Sequence, residues 1–86
     1  MPTLVASTAA SQQLLAADPA RAFVSVENTD ANTLYLMIGA GTASATNFTV
    51  SLASGDYYEV PHVAVGHALT GIWAIDGAGG AMITTI

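Results

Sequence analysis

From residue 21 onward, short runs with a two-residue period alternate with clusters of Gly, Asp, Asn and Pro, a rhythm that points to antiparallel β structure. Ala22-Phe23-Val24-Ser25-Val26-Glu27-Asn28 sets Ala22, Val24 and Val26 on one face and Phe23, Ser25 and Glu27 on the other. Thr29-Asp30-Ala31-Asn32 reads as a turn, because Asp and Asn side chains bond nearby backbone and tolerate left-handed geometry. Leu34-Tyr35-Leu36-Met37-Ile38 follows with Leu34, Leu36 and Ile38 on one face. The short polar connection predicts a hairpin between these two runs.

Gly39 to Thr46 is a loop of small residues. Beyond it, Phe48, Val50 and Leu52 are expected to face inward, and Asn47, Thr49 and Ser51 outward. Ser54-Gly55-Asp56 turns the chain into Tyr57-Tyr58-Glu59-Val60, which Pro61 ends. Leu69 to Ile75, Asp76 to Gly80 and Ala81 to Ile86 read as strand, turn and strand. Ser11 to Ala17 fits a helical turn or an edge strand, and its β context favours the strand. The expectation is an all-β fold, a small antiparallel β-sandwich or barrel of six to seven strands, jelly-roll-like in kind. Residues 1–15 would form an N-terminal arm or edge strand, and 16–86 a single β domain.

Charge narrows the function. Arg21 is the only basic residue apart from the two histidines, against six acids, for a net charge of −5. Charged residues make up 8% of the chain, where about 25% is usual. One arginine cannot supply the basic footprint that nucleic acid or an anionic membrane surface requires. With 52% apolar residues the chain is not of a disordered type. A domain this small buries only about 60% of its unfolded surface. It has no cysteine for a disulfide or a thiolate zinc site, which leaves good packing or oligomerisation to stabilise it. Met1 to Ala6 lacks the features of a secretory signal, and no run of about 18 apolar residues is present. A soluble product made in the cytosol is expected.

No catalytic constellation emerges, and no enzyme or cofactor is expected. Serine and threonine are plentiful, but none sits in a nucleophile motif. Glu27 and Glu59 fall on solvent-facing strand positions, where solubilising side chains are the common case. Gly39-x-Gly41 has no lysine after it and no strand-to-helix context. Asn47-Phe48-Thr49 matches a glycosylation acceptor, but there is no secretory signal to bring modification with it. His62 and His67, five apart, share neither a strand face nor a helix turn. They read as loop histidines, with a pH-sensitive contact open to them if the loop lies at an interface. Trp73 reads first as a core anchor. Alternation sends one of Tyr57 and Tyr58 inward and the other to the surface. Arg21 is suited either to pairing with Glu27, Asp18 or Asp56, or to anchoring a subunit or partner contact. Arg21, Tyr57, Tyr58, His62, His67 and Trp73 are thus the interface candidates.

The succession Ala17-Asp18-Pro19-Ala20-Arg21, Glu27-Asn28-Thr29-Asp30, Leu34-Tyr35-Leu36 and Gly39 to Ala45 resembles small proteins encoded by tailed bacteriophages and prophages. So do Asn47-Phe48-Thr49-Val50, Ser54 to Pro61 and Leu69-Thr70-Gly71-Ile72-Trp73-Ala74. The resemblance covers about residues 16 to 86 and consists of structural punctuation, with no catalytic motif. It implies a capsid-associated protein of the decoration, cement or head-fibre-base kind. Such a protein would sit on the virion surface after synthesis in the bacterial cytoplasm, with the major capsid protein and its own copies (a trimer or dimer) as partners. Such relatives usually carry more than one Lys or Arg, so charge-based contacts in them need not transfer. The rival expectation is a tail or fibre module that binds a host glycan or receptor, with Trp73 or the exposed tyrosine stacking on a sugar and Asn32 or Asn47 hydrogen bonding.

Overall fold

The computed structural model describes residues 2–39, 41–75 and 77–86. Met1, Ala40 of the small-residue loop and Asp76 of the glycine turn lie outside the described residues. Eight strands follow in chain order: β1 (Pro2–Ala6), β2 (Gln12–Leu15), β3 (Val24–Asn28), β4 (Leu34–Ile38), β5 (Val50–Leu52), β6 (Tyr57–Glu59), β7 (Leu69–Trp73) and β8 (Gly80–Thr85). One 3-10 turn, His62–Ala64, precedes β7. No described helix is long and apolar enough to cross a membrane.

The strands form two four-stranded antiparallel sheets, ordered β1-β8-β3-β6 and β2-β7-β4-β5. Only β4 and β5 are both consecutive in the chain and paired. Every other connection passes from one sheet to the other. This is the strand order of an eight-stranded jelly roll, two Greek keys face to face. The expected antiparallel sandwich is therefore present, with eight strands rather than six or seven. Residues 2–15 supply two edge strands, one in each sheet.

The hairpin expected between residues 22–28 and 34–38 does not form. Both edges of β3 are taken, by β8 and β6, so the chain turns the corner and enters the opposite sheet. Ala22, expected inward, precedes β3 and is exposed, its N–H donating to the Ile86 carbonyl at 2.8 Å. Phe48, also expected inward, is 39% exposed. The Thr49 N–H donates to the Leu36 carbonyl at 2.7 Å and its hydroxyl accepts from the Ile38 N–H at 3.0 Å. The alternation therefore begins only at Val50. Phe48 instead lies against Tyr35, their ring centroids 5.1 Å apart.

The core fills the space between the sheets. Val24, Val26, Ala81 and Ile83 enter from the first sheet, and Leu14, Leu34, Leu36, Leu52, Leu69 and Trp73 from the second. Leu36 pairs with Gly71. A Cβ at Gly71 would stand 2.7 Å from Leu14 Cδ1 and 2.9 Å from Leu34 Cδ1, so glycine leaves the volume those leucines occupy.

Candidate interaction surfaces

At the end of the sandwich where β3 gives way to β4, Asn28 and Asp30 are buried. The period that turns Val24 and Val26 inward turns Asn28 inward too, and there its amide is fully used. Asn28 Nδ2 donates to the Asn32 carbonyl at 2.8 Å and to the Leu52 carbonyl at 2.9 Å. Its Oδ1 accepts from the Asp30 N–H and from Trp73 Nε1, both at 3.1 Å. Asp30 Oδ2 accepts from the Asn32 N–H at 2.9 Å and from Asn32 Nδ2 at 2.8 Å. Its Oδ1 accepts from the Gly79 N–H at 2.9 Å and from the Ser7 hydroxyl at 3.1 Å. The backbone N–H of Asn32, and then its side-chain amide, hold the Asp30 carboxyl below its ordinary pKa. Burial opposes this shift, and Gly79 and Ser7 add to it. Among the described residues, every buried side-chain nitrogen and oxygen has a partner. Among the described residues, the polar side chains of this corner are spent on joining the two sheets.

The opposite end is held by Arg21. Its Nη1 donates to the Val65 carbonyl at 2.8 Å and to the His67 carbonyl at 3.4 Å, and its Nη2 to the Ala16 carbonyl at 2.5 Å. The acids proposed as its partners are engaged or placed elsewhere. Asp18 Oδ1 accepts from the Ala20 N–H and Asp56 Oδ2 from the Ala53 N–H, while Glu27 lies on the outer face of the first sheet. Arg21 thus fastens the β2–β3 loop to the β6–β7 loop. That second loop displays His62, His67 and Val63, the last 90% exposed.

The six interface candidates do not form one site. Arg21, His62 and His67 share the loop end. Tyr58, opposite Val26, packs against the core, and Tyr57, opposite Glu27, is 57% exposed on the outer face of the first sheet. Trp73 is 1% exposed, so its ring presents no surface to a partner. Among the described residues no cavity is present, and no three His, Asp or Glu side chains converge on a point that would hold a metal.

The two outer faces differ in charge. On the first sheet the register lines up Leu4, Met82, Glu27 and Tyr57 in one row, and Pro2, Thr84, Ser25 and Glu59 in the next. On the second sheet the rows are Ile72, Tyr35 and Ser51, then Gln13, Thr70 and Met37, with Phe48 against Tyr35. Strands β2, β4, β5 and β7 carry no Asp, Glu, Lys, Arg or His. This uncharged face went unnoticed in the sequence because it exists only once the sheet order is known. Comparisons with protein-family models, with curated proteins and with solved structures found no match.

Proposed function

We propose that this chain is a structural virion protein of the capsid decoration or cement kind. It binds the outside of a tailed-phage head and stabilises contacts between major capsid subunits. The observation that carries the reading is the uncharged outer face of the second sheet, where Ile72, Tyr35, Met37 and Phe48 lie among Gln13 and Ser51. Covering it strips no ionised group of water, and each Å2 of apolar area removed from solvent contributes roughly 25 cal/mol, less the ordering costs of association. Glu27 and Glu59 then point away from the shell, where like charge discourages particles from adhering to one another. The resemblance to small phage proteins supports the same reading.

The test mixes the purified chain with expanded, undecorated heads and measures co-sedimentation. Saturable binding is expected. Tyr35→Glu, which places a charge in the middle of the face, should abolish it, and Glu27→Gln on the opposite face should leave it intact. No binding at saturating protein, or binding indifferent to Tyr35→Glu, would overturn the reading. A tail or fibre recognition module is the second reading, favoured by one observation, the exposed ring of Tyr57. It predicts glycan binding that Tyr57→Ala removes.

A further inference from the structure

Among the described residues, four strands have an open edge: β1 and β6 in the first sheet, β2 and β5 in the second. An open edge offers unpaired backbone N–H and C=O groups to any strand that comes alongside, and native edges are usually blunted against this. Three of the four are. The pairing of β2 shifts register between Gln13 and Leu15. β5 and β6 are only three residues long, and β6 carries Glu59 with Pro61 soon after it. β1 is different. It is five residues long, keeps one register against β8 throughout, and has no charged side chain; its only blunting residue is Pro2 at its start.

The groups on that edge can be named. The Ser7 N–H donates to the Gly79 carbonyl at 3.0 Å, one step beyond the Ala6–Gly80 pair. Hydrogen-bonded and non-bonded pairs alternate along an antiparallel ladder. Val5 and Thr3 therefore bond to β8, while Leu4 and Ala6 turn their N–H and C=O groups to the open side. We propose that two copies of this chain pair through β1, antiparallel about a twofold axis at Val5, so that Leu4 of each copy faces Ala6 of the other. Each such pair exchanges two hydrogen bonds, and the two first sheets merge into one continuous sheet. Leu4, 56% exposed in the single chain, then lies diagonally across the seam from its own symmetry mate, within side-chain reach.

Charge selects a second copy as the occupant. β1 and β8 carry no ionisable side chain. Asp30, which accepts from Ser7 just past the end of β1, is buried and held by four donors. The nearest strand carboxylate is Glu27 on β3, two strands in from the edge. With strands about 4.8 Å apart, the Glu27 residues of two copies stand roughly 24 Å from each other, some three Debye lengths at physiological salt. A chain of net charge −5 can meet its own copy here. Pairing β6 with itself would instead bring Glu59 of both copies to the seam. The proposal stands independently of the capsid reading.

The test is sedimentation equilibrium of the full chain at concentrations up to ~100 µM, a range that detects a Kd in the micromolar decade. A dimer of twice the 8.7 kDa chain is expected, with amide exchange at Leu4 and Ala6 slowing as concentration rises. Leu4→Lys should yield monomer with an unchanged circular dichroism spectrum. Ala6→Pro should do the same, since it removes an N–H that points away from β8. Ser51→Lys, on the second sheet, should leave the dimer intact. A monomer at every concentration, a trimer, or a dimer that survives both β1 variants would overturn the proposal. So would a dimer that only Ser51→Lys disrupts.

Discussion

Asn28 and Asp30 join the two sheets with short, buried polar side chains. Asn28 satisfies a carbonyl from β5 and one from the turn, and its oxygen anchors the indole of Trp73. Asp30 collects four donors, and its pKa is lowered by them. A carboxyl with a depressed folded-state pKa contributes stability that is complete above its unfolded value, near 3.8, and is lost as pH falls below that through the folded value. Asp30→Asn turns amide hydrogens toward existing donors, so it should be less stable than the native chain at neutral pH. The gap in urea midpoint between the two proteins should narrow as pH is taken from about 7 to about 2.5. A gap that does not change with pH would show that the carboxylate charge is not what the corner uses. The turn itself was legible at Thr29 to Asn32, but the burial of Asp30 was not, since its donors Ser7 and Gly79 lie far away in the chain. Asn28 was half legible, as it continues the inward period of Val24 and Val26. Arg21 stood out only by being unique, and its carbonyl acceptors leave no side-chain signature to find.

Among the strands, β3 to β8 could be read directly, from alternation, apolar runs and the turns that bound them. β1 could not, because Thr3-Leu4-Val5 has no polar alternation and its partner β8 is at the other end of the chain. That pairing depends on one small residue. A Cβ at Gly80 would collide with the carbonyl of Val5, a backbone group that cannot swing aside as a side chain would. Gly80→Ala should therefore push β1 away from β8 and cost about 1–3 kcal/mol, read from the urea midpoint. A loss within about 0.5 kcal/mol, the range of neutral surface changes, would mean that β1 adds little to the fold. The same strand carries the proposed self-pairing edge, so the variant should also weaken any dimer.

For the whole molecule, the accessible surface of 4430 Å2 is close to the roughly 4,700 Å2 that scaling with mass gives a folded monomer of this size. The radius of gyration, 11.4 Å, agrees with the ~12 Å expected. The single chain thus closes on itself, so any assembly would dock finished units. The topology that permits this closure makes folding slow. Apart from β4 and β5, no paired strands are neighbours in the chain, and β1 must find β8 across nearly its whole length. Loop-closure entropy is spent before those contacts form. Stopped-flow refolding by far-ultraviolet circular dichroism should show relaxation in the millisecond-to-second range typical of non-local β folds. Microsecond folding would contradict the pairing order. The layered β class was visible in the spacing of turns, but the sheet order was not, because six of the seven connections cross between sheets and leave no local mark.

The position of Trp73 gives this chain its own optical gauge. It is the only tryptophan, it belongs to the second sheet, and its ring nitrogen is bonded to a residue of the first. Its emission therefore reports on one event, the parting of the two layers, with no second indole to blur the signal. Under acid or mild denaturant, a red shift that precedes loss of strand signal would reveal a state in which the sheets have separated while their ladders persist.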